Sequence, residues 1–399
     1  MDQQLKDKIL SKIKPNKADL DNFKDVSAEF IKKINPQLRD AEAILGGSGA
    51  KDTWLAGNHD VDVFVLFDYQ KYAKKSDEIS EILGNNLKKA FPKEEIQRLH
   101  GSRDYFQLNY KKIAFEVIPI LKIKKAEKAV NITDISPLHC WWVNKEGSKL
   151  KDEIRLAKQF CKANSIYGAE SYISGFSGYG LEILTIFYRS FENLLKASLS
   201  WKVKEVIDPS GYYKNKDALF YLNQSKTKSP LIIVDPVDKN RNAAAALGEE
   251  KFLKFKRLAK EFLKNPNLDF FEKKNIDYLK LKKEVEKKKH NLVWIELQIE
   301  EGKEDVEGAK LVKGFEFLSE KLKAFSLLDA KWNWNKQEKA IVYFILEKKE
   351  LAHYEIRVGP PLKLSEFVLN FKKKNKDCYE EKGRILAKVK VANPKLGDY

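Results

Sequence analysis

Apolar residues recur at helical spacing near the N-terminus of the chain. Ile9 and Ile13 belong to one such stripe, and a second stripe runs through residues 23–34. Side chains three or four residues apart share one face of a helix. Pro15 lies between the stripes, and proline lacks the N–H group that a helix interior needs. The pattern therefore predicts two helices within residues 3–35, separated near Pro15.

Short apolar runs then alternate with helical stretches as far as residue 135. Such runs, when bounded by turn residues, are typical of strands. The predicted elements are a short helix at 51–54, strands at 60–67, 105–110 and 113–123, and a helix at 76–90. Strands and helices mixed at this density predict a small α/β domain over residues 1–135.

Helical spacing dominates residues 152–200. One predicted helix contains residues 154–161, and a second contains residues 181–194. The sequence SGFSGYG lies between them and is suited to cap the second helix at its start. A strand at 230–235 and a helix at 242–262 complete a mostly helical domain.

The last part of the chain, residues 251–399, alternates strands with helices again. The predicted strands are 292–299, 330–335, 340–346, 353–358 and 384–391, and the predicted helices are 306–325 and 365–374. The order β-α-β-β-β-α-β favours an α+β domain that is ferredoxin-like or similar to an RNA recognition motif. We therefore expect an α+β protein of several domains.

The length and composition are those of a folded, multidomain protein. The chain has 399 residues, enough for two or three domains. It has no long uncharged apolar run and no apolar signal-peptide segment, so we expect no membrane span. The cysteines Cys140, Cys161 and Cys378 form neither a CxxC pair nor a zinc-binding pattern. They favour free thiols, and hence a cytoplasmic location.

The charge balance is strongly basic. There are 75 lysines and arginines against 58 acidic residues, a net charge of +17. An excess of this size favours a polyanionic partner, above all nucleic acid. Residues 251–290 contribute 14 basic residues against 6 acidic ones. The alternative is a lysine-rich proteome, in which most of these lysines are solvated surface.

Two acidic residues, Asp60 and Asp62, open the apolar run 60–67. Residues i and i+2 of a strand point to the same face, so the two carboxylates project together, about 7 Å apart. Neighbouring carboxylates repel each other unless a cation neutralises them. Mg²⁺ prefers one or two carboxylates together with substrate phosphates. The sequence therefore predicts a magnesium site at the start of this strand.

A glycine-serine turn precedes this strand and predicts a phosphate site. Gly46 and Gly47 can present bare backbone N–H groups, and Ser48 adds a hydroxyl. Glu116 is the only charged residue in 113–121 and is the expected third metal ligand. A phosphate site beside a metal pair is typical of phosphoryl-type transfer. The alternative is an ordinary edge strand, with Glu116 facing solvent.

Several stretches together resemble a known family. Within residues 40–250 they are, in order, DTWLAGNHDVDVFVLF, FEVIPI, SPLHCWW, DEIRLAKQFCKANSIYGAE, SGFSGYGLEIL and VDPVDKNRNAAAAL. Weaker likeness, including RVGPPL, continues towards residue 391. The chain resembles the archaeal, or class I, CCA-adding enzymes, which are tRNA nucleotidyltransferases of the DNA polymerase beta superfamily. The ordered set of motifs is more specific than any single one.

The resemblance implies a polymerase-beta-type catalytic head over 1–135, a helical nucleotide-recognition neck over 136–250 and an RNA-binding body over 251–399. It implies addition of C, C and A to the 3′ end of tRNA from CTP and ATP, without a template. The implied roles are Mg²⁺ binding by Asp60, Asp62 and Glu116, triphosphate binding by Ser48 and Lys51, nucleotide contact by His139, Lys158 and Tyr167, and base reading by Arg241.

Three departures from the family bear on these roles. Lys51 stands where the family often has arginine, which would turn a bidentate phosphate contact into a point charge. Glu116 is one methylene longer than the family's usual aspartate. The family's tail domain has no counterpart before Tyr399. A natural loss, a truncated sequence and a separate chain would each account for its apparent absence.

The sequence leaves other interpretations open. A poly(A) polymerase or another terminal RNA nucleotidyltransferase would use the same metal site, and a non-catalytic RNA-binding protein would keep the same fold. His139 could be a packing histidine, and Lys158 and Tyr167 could be ordinary helix-surface residues. The sequence decides neither which tRNAs are served nor whether the chain forms a homodimer.

Overall fold

A computed structural model gives the fold of residues 1–57, 60–214, 217–273, 276–300, 302–334, 336, 338–351 and 354–390. The chain divides into two units, Met1–Lys274 and Asn275–Tyr399. Both units combine helices with small sheets, so the predicted α+β class is confirmed. None of the described helices is long and apolar enough to cross a membrane.

The first unit begins with a helix that packs against the later helical part, followed by a five-stranded sheet and its covering helices. These elements are α1 Gln3–Ile13, α2 Lys17–Ile34, β1 Ala41–Leu45, α3 Gly47–Lys51, β2 Asp60–Phe67, α4 Tyr69–Tyr72, α5 Ile79–Ala90, β3 Ile96–Leu99, β4 Tyr105–Tyr110 and β5 Ile113–Leu121. The strand order is β1-β2-β5-β4-β3. Strands β2 and β5 pair in parallel, whereas the other neighbours are antiparallel.

Strand β2 is buried because strands flank it on both sides and its sequence is almost wholly apolar. The odd-numbered residues of 61–67 face a core that α2 and α5 close. Phe30 of α2 enters this core and stacks on Phe115 of β5, with ring centroids 4.0 Å apart. Since side chains alternate along a strand, Asp60 and Asp62 lie on the opposite face.

A mostly helical part follows in the same unit. Its elements are α6 Ser136–Glu146, α7 Lys151–Ala163, α8 Gly178–Tyr188, α9 Phe191–Ser198, β6 Glu205–Ile207, α10 Ala218–Tyr221, β7 Leu231–Asp235, β8 Asp238–Asn242 and α11 Glu249–Lys264. The three strands form a sheet in the order β6-β7-β8. Helices α7, α9 and α11 share an aromatic core in which Phe160, Phe191 and Phe262 meet.

Left-handed residues end two of the predicted helices. The helix predicted at 51–54 is wrong in position, because α3 ends where Asp52 adopts a φ of 49°. The helix predicted over 181–194 is two helices, α8 and α9. Arg189 has a φ of 67° and interrupts it, and the Ser190 side chain then caps α9.

The helix predicted over 242–262 begins later, at the first residue of α11. Asn242 is buried, and its side-chain oxygen accepts hydrogen bonds from the N–H groups of Ile233 and Ala244, each at 2.9 Å. An asparagine side chain that bonds nearby backbone competes with helix formation. The residues between β8 and α11 therefore form a turn.

The second unit contains two three-stranded sheets. Its elements are α12 Tyr278–Lys287, β9 Asn291–Gln298, α13 Glu304–Leu322, β10 Leu327–Trp334, β11 Lys339–Leu346, β12 Tyr354–Pro361, α14 Ser365–Lys374, β13 Asp377–Glu381 and β14 Arg384–Lys390. The strand orders are β10-β11-β9 and β12-β14-β13. Strand β13 was not predicted, because its sequence DCYEE is largely polar. Three residues of predicted strands, Asn335, His353 and Val391, lie outside the described residues.

Candidate active site

The three carboxylates predicted to bind metal lie on two adjacent strands. In the parallel pairing of β2 with β5, Asp62 is directly opposite Glu116. The two neighbours of Glu116 face the core, so Glu116 shares the opposite face with Asp60 and Asp62. Gln107 of β4 donates from Nε2 to Glu116 Oε1 at 3.2 Å. The sheet thus gathers the three acidic residues on one face.

Burial and neighbouring charges act together on Asp62. Burial raises the pKa of Asp62, the Lys51 ammonium lowers it and the Asp60 carboxylate raises it, and the net shift is upward. Added positive charge would favour the ionised form. No three histidine, cysteine or acidic side chains converge into a complete metal cluster among the described residues.

The glycine turn lies directly against Asp62. Gly46 donates its N–H to the backbone oxygen of Asp62 at 2.8 Å. Gly47 has a φ of +53°, and a Cβ atom there would overlap the Asp62 carboxylate, so only glycine fits. Ser48 follows in the first turn of α3, whose N–H groups have no acceptor within the helix. The predicted phosphate turn and the predicted metal ligands are therefore neighbours.

A buried carboxylate, Glu182 of α8, holds both of the lysines predicted to contact the nucleotide. Lys51 Nζ donates to Glu182 Oε2 at 2.7 Å, and Lys158 Nζ donates to Oε1 at 2.8 Å. The Thr53 hydroxyl donates to the same Oε1 at 2.7 Å. Lys158 is only 3% exposed, so it is not a helix-surface residue.

The charges in this cluster do not cancel. Burial disfavours the ionised form of Glu182, but Lys158 and Lys51 outweigh it and lower its pKa to about 2. Burial and the neighbouring Lys51 lower the pKa of Lys158 to about 8, against the pull of Glu182. Burial also opposes the charge on Lys51, but the Glu182 carboxylate leaves its pKa raised. Near neutral pH, two ammonium groups face one carboxylate.

Tyr167 lies beside this cluster, against Gly178 at the start of α8. A Cβ atom on Gly178 would lie 2.8 Å from the Tyr167 hydroxyl oxygen and 3.8 Å from Lys158 Cε. The absence of that atom lets the two side chains approach the helix from the same side. Burial raises the pKa of Tyr167, which keeps its hydroxyl protonated and able to donate.

The other two predicted residues, His139 and Arg241, meet at the buried carboxylate of Asp235. His139 Nε2 lies 3.0 Å from Asp235 Oδ2, and Arg241 Nη1 donates to the same oxygen at 2.7 Å. The Tyr179 hydroxyl donates to Oδ1 at 3.0 Å. Burial opposes ionisation of Asp235, but His139 and Arg241 outweigh it and lower its pKa to about 2.

The ring of Tyr179 connects the two clusters. It stacks on His139 with ring centroids 4.0 Å apart, and Arg241 Cζ lies 5.8 Å from its centroid. Lys51 Nζ lies 5.7 Å from the same centroid. Lys51 belongs to α3, whose first turn touches Asp62. The structure therefore places the carboxylates, the lysines and the His139–Arg241 pair along one continuous site.

Four residues of this site were not predicted from the sequence: Thr53, Tyr179, Glu182 and Asp235. Two of them carried a usable signal. Glu182 is the only charged residue of α8, and Asp235 ends the otherwise apolar strand β7. A lone charge in an apolar element needs a partner. The same argument identified Glu116, and it applies equally to these two residues.

Two sequence families match the first unit. The family described as "Nucleotidyltransferase domain" matches residues 27–139. The family described as "tRNA nucleotidyltransferase, second domain" matches residues 152–272. The first match contains the acidic strands and the second contains Lys158, Glu182 and Asp235.

Several relatives are CCA-adding enzymes of archaea. The chain is 39% identical over 298 residues to the one from Nanoarchaeum equitans, covering 74% of this chain and 71% of that protein. It is 34% identical over 303 residues to the one from Methanocaldococcus jannaschii, covering 71% and 63%. It is 28% identical over 404 residues to the one from Methanosarcina mazei, covering 97% and 86%.

Solved structures of lower identity share the fold. A cytoplasmic RNA terminal U-transferase matches with a TM-score of 0.52 at 15% identity, covering 68% of this chain and 98% of that chain. Cid1, an RNA terminal uridylyl transferase, matches with a TM-score of 0.53 at 15% identity, covering 69% and 98%. On the identity to the Nanoarchaeum equitans enzyme, the chain belongs to the CCA-adding enzyme family of tRNA nucleotidyltransferases.

Proposed function

We propose that this chain adds C, C and A to the 3′ end of tRNA, with CTP and ATP as substrates and without a template. Its family membership supports this activity. One structural observation supports the assignment of this activity to particular residues. Asp62 is in register with Glu116 and in contact with the Gly46–Gly47 turn. Metal ligands and a phosphate-binding turn in contact are what nucleotidyl transfer requires.

The donor set suits a divalent cation, and we assign Mg²⁺. Asp60, Asp62 and Glu116 share one face of the sheet, and the raised pKa of Asp62 reflects burial and the like charge of Asp60. Mg²⁺ accepts one or two carboxylates and completes its shell with phosphate oxygens and water. An ion held by these carboxylates would supply activation of the attacking hydroxyl and stabilisation of charge on the phosphates.

The triphosphate is assigned to the turn and the lysine cluster. Ser48 offers its hydroxyl, and the first N–H groups of α3 point out of the helix end. Glu182 holds Lys51 and Lys158 at fixed positions, and their charges exceed its own. The Tyr167 hydroxyl supplies a further donor beside Lys158. These donors would neutralise the pyrophosphate as it leaves.

The base of the nucleotide is assigned to the end of the site that contains His139 and Arg241. A guanidinium offers only donors, so Arg241 can pair with an acceptor of the base. Cytosine presents an acceptor at N3 and adenine presents one at N1, whereas uracil and guanine carry an N–H at those positions. His139 lies beside Arg241 at the same carboxylate oxygen. The pair is therefore the region that we assign to base recognition.

In the transfer, the 3′ hydroxyl of the RNA gives up its proton to water, and its oxygen forms a bond to the α-phosphorus of the nucleotide. The bond from that phosphorus to the bridging oxygen of the β-phosphate breaks, and pyrophosphate leaves. Lys51 and Lys158 would hold the leaving group, and the ring of Tyr179 contacts both Lys51 and His139. If both ends of the nucleotide are held in this way, the α-phosphate would lie against the acidic face of the sheet.

The decisive experiment offers the protein a tRNA transcript that ends at the discriminator base. It measures incorporation of labelled CTP and ATP and sequences the product ends. We expect C, C and A in that order. Long A tails would indicate a poly(A) polymerase and U tails a uridylyl transferase, while RNA binding without incorporation would indicate a non-catalytic protein.

The substitution Asp62→Ala tests the site residues. We expect at least about a hundredfold loss of incorporation, because a ligand of the reacting centre is removed. Binding of tRNA should stay near the wild-type level. The exposed Asp77→Ala in the same unit is the matched control and should keep full activity. Glu116→Asp should retain substantial activity. If Asp62→Ala kept about a tenth of the wild-type rate of incorporation, the assignment of Asp62 as a metal ligand would be wrong.

We further propose the division into a head over 1–135, a neck over 136–250 and a body over 251–399, and within it α11, Glu249–Lys264, packs into the helical core of the first unit. The matches of two distinct families to residues 27–139 and 152–272 support a change of domain after the head. The free cysteines and the tRNA substrate support a cytoplasmic location. Light scattering on the active protein would measure whether it works as one chain or as a homodimer.

A further inference from the structure

The short helix α3 depends on contacts outside itself. It has only five residues, Gly47–Lys51, and it contains both Ser48 and Lys51 of the proposed triphosphate site. An isolated helix of this length is unstable in water, because too few hydrogen bonds form to offset the ordering of its backbone. The last carbonyl groups of a helix also lack donors within the helix. Neighbouring elements must therefore hold α3 in place and bind its last carbonyl groups.

Two cations on one face of α7 bind the backbone at the end of α3. Lys151 and Arg155 are four residues apart, so their side chains lie on the same face of α7. Lys151 Nζ donates to the carbonyl oxygen of Lys51, the last residue of α3, at 2.6 Å. Arg155 Nε donates to the carbonyl oxygen of Trp54 at 3.1 Å.

Two further contacts complete this set of backbone bonds. Lys158, three residues after Arg155 on α7, donates from Nζ to the carbonyl oxygen of Thr53 at 3.2 Å. Asn144 of α6 donates from Nδ2 to the carbonyl oxygen of Ala50 at 2.9 Å. Its Oδ1 accepts from Lys151 Nζ at 2.6 Å, which connects the two donors. Side chains of α6 and α7 thus bind four of the five carbonyl groups of residues 50–54.

Arg155 also fixes the turn that ends α3. Its side chain is only 2% exposed, and its guanidinium donates to the carboxylates of Asp52 and Asp152, the latter at 2.8 Å. Asp52 has a left-handed backbone, with a φ of 49°, and it ends the helix. A buried guanidinium is tolerated because carboxylates and a carbonyl group surround it. The direction in which the chain leaves α3 is therefore set by Arg155.

We propose that Lys151 and Arg155 are positioning residues, which hold α3 in the orientation that receives the triphosphate. The proposal rests on the function proposed above. Both side chains bind the C-terminal end of α3, whereas the Gly46–Gly47 turn lies at its N-terminal end. They therefore act on the nucleotide through the helix and not by touching the phosphates.

The proposal limits which ligands are affected. The first N–H groups of α3, the Ser48 hydroxyl and the Lys51 ammonium are assigned to phosphate oxygens, so a displaced α3 weakens every ligand that binds through them. CTP, ATP and pyrophosphate share these groups and should weaken together. Binding of tRNA and the preference for CTP over UTP should not change. A displacement of about 1 Å is enough to reduce the rate of a positioned reaction.

Lys151→Met tests the first residue, because it keeps the length of the side chain but removes the donor. We expect KM for CTP and the inhibition constant Ki for pyrophosphate both to rise about fivefold to tenfold, with Kd for tRNA within about twofold of wild type. Lys151→Arg keeps a charged donor and should restore most of the loss. Lys149→Met, an exposed lysine two residues before α7, is the matched control and should keep wild-type constants.

Arg155→Lys tests the second residue with less risk to folding than removal of the charge. An ammonium group lacks the planar fork that reaches a carbonyl group and two carboxylates together. We expect Ki for pyrophosphate to rise about threefold to tenfold. Arg257→Lys, at an exposed site on α11, is the matched control and should leave Ki unchanged. A wild-type Ki in Arg155→Lys would overturn the role of Arg155.

Hydrogen–deuterium exchange measures the hold on α3 without catalysis. Amides of residues 46–55 should exchange faster in Lys151→Met than in wild type or Lys149→Met, because α3 opens more often. Unchanged exchange would overturn the proposal. So would a lowered Tm in Lys151→Met with KM and Ki at wild-type values, since that result indicates a structural role only. Failure of the wild type to extend tRNA with CTP would instead overturn the proposed function, so the two failures are distinguishable.

Discussion

At the scale of single residues, Glu182 shows how one buried charge organises others. It has no exposed surface, yet it accepts hydrogen bonds from Lys51, Lys158 and Thr53. A buried charge is tolerated only when opposite charges and donors surround it. Glu182 therefore has two roles, since it makes the burial of two lysines tolerable and keeps their ammonium groups in place.

Replacing Glu182 by glutamine should strongly destabilise the first unit. Two buried ammonium groups would lose their counter-charge, and breaking a buried pair in this way costs about 3–5 kcal/mol. The matched control is Glu261→Gln on the surface of α11, whose nearest cation is Arg257 at 3.9 Å. We expect less than about 1 kcal/mol there. Urea unfolding followed by tryptophan fluorescence measures both; equal losses would contradict the role of Glu182.

The contribution of Glu182 to stability should depend on pH in the acidic range. Its pKa in the folded protein is about 2, below the ordinary value of 4.5. A lowered pKa stabilises the folded state above the unfolded-state pKa, and this stabilisation is lost as the pH falls towards the folded-state value. The stability gap between wild type and Glu182→Gln should therefore narrow from pH 5 to pH 3. A gap that does not change would contradict the assigned pKa.

At the scale of elements, the turn between β1 and α3 depends on a glycine that contacts a strand. Gly47 combines a left-handed backbone with close approach to Asp62, the residue opposite Glu116. Backbone strain and steric overlap both exclude a side chain there. The turn is thereby held against the acidic face of the sheet, which is where the proposed chemistry takes place.

Gly47→Ala should reduce incorporation at least about tenfold, because the new Cβ atom displaces the carboxylate of Asp62 or the turn itself. Gly211→Ala is the matched control. Gly211 also has a left-handed backbone, with a φ of +66°, but a Cβ atom there would meet open space. It should lose about 1 kcal/mol of stability and keep its activity. Comparable kinetics for the two variants would show that the contact with Asp62 has no role.

Elements with a strong apolar pattern were predicted well. Elements that are polar, and helix ends formed by left-handed residues, were not predicted. Strand β2 was predicted at its observed bounds because its burial requires a continuous apolar run. Strands β1 and β3 were missed, since both are short and half of the residues of β3 are polar. The interruption at Arg189 was missed because a left-handed residue has no mark in hydrophobic spacing. The positions of edge strands and of helix ends depend on tertiary contacts rather than on the periodicity of apolar residues.

At the scale of the whole molecule, the net charge of +17 bears on the RNA substrate. Lysines that neutralise RNA phosphates release bound counterions, so affinity falls as salt rises. The end of α12 carries a run of exposed lysines, Lys287, Lys288 and Lys289. These exposed side chains are suited to phosphate contact.

Binding of tRNA should weaken steeply with salt. In a plot of the logarithm of the binding constant against the logarithm of salt concentration, each phosphate neutralised should add about 0.7–0.9 to the steepness of the slope. The double variant Lys287→Gln/Lys288→Gln should lower the slope by about one to two. Lys88→Gln/Lys89→Gln, also exposed and at a helix end, is the matched control and should leave the slope nearly unchanged. An affinity for tRNA that does not change with salt would contradict the proposal that these lysines contact RNA phosphates.

The sequence by itself determined the type of chemistry. The pattern of two acidic residues before an apolar run, a glycine-serine turn and a lone Glu116 follows from local rules of strand geometry and burial. Ordered motifs then led to the CCA-adding enzyme family, which the relatives confirm. The first inference needs only the spacing of residues along the chain, and the second rests on the resemblance of the motifs to a known family.

Only the tertiary structure decided which charges meet. Residues 131 positions apart, Lys51 and Glu182, form one buried pair, and residues 96 positions apart, His139 and Asp235, form another. No periodicity encodes such partners, because they come from separate elements that packing brings together. The charge of an ammonium group and the tautomer of an imidazole depend on those neighbours and on burial. The protonation states within this site are therefore properties of the fold, not of the sequence pattern.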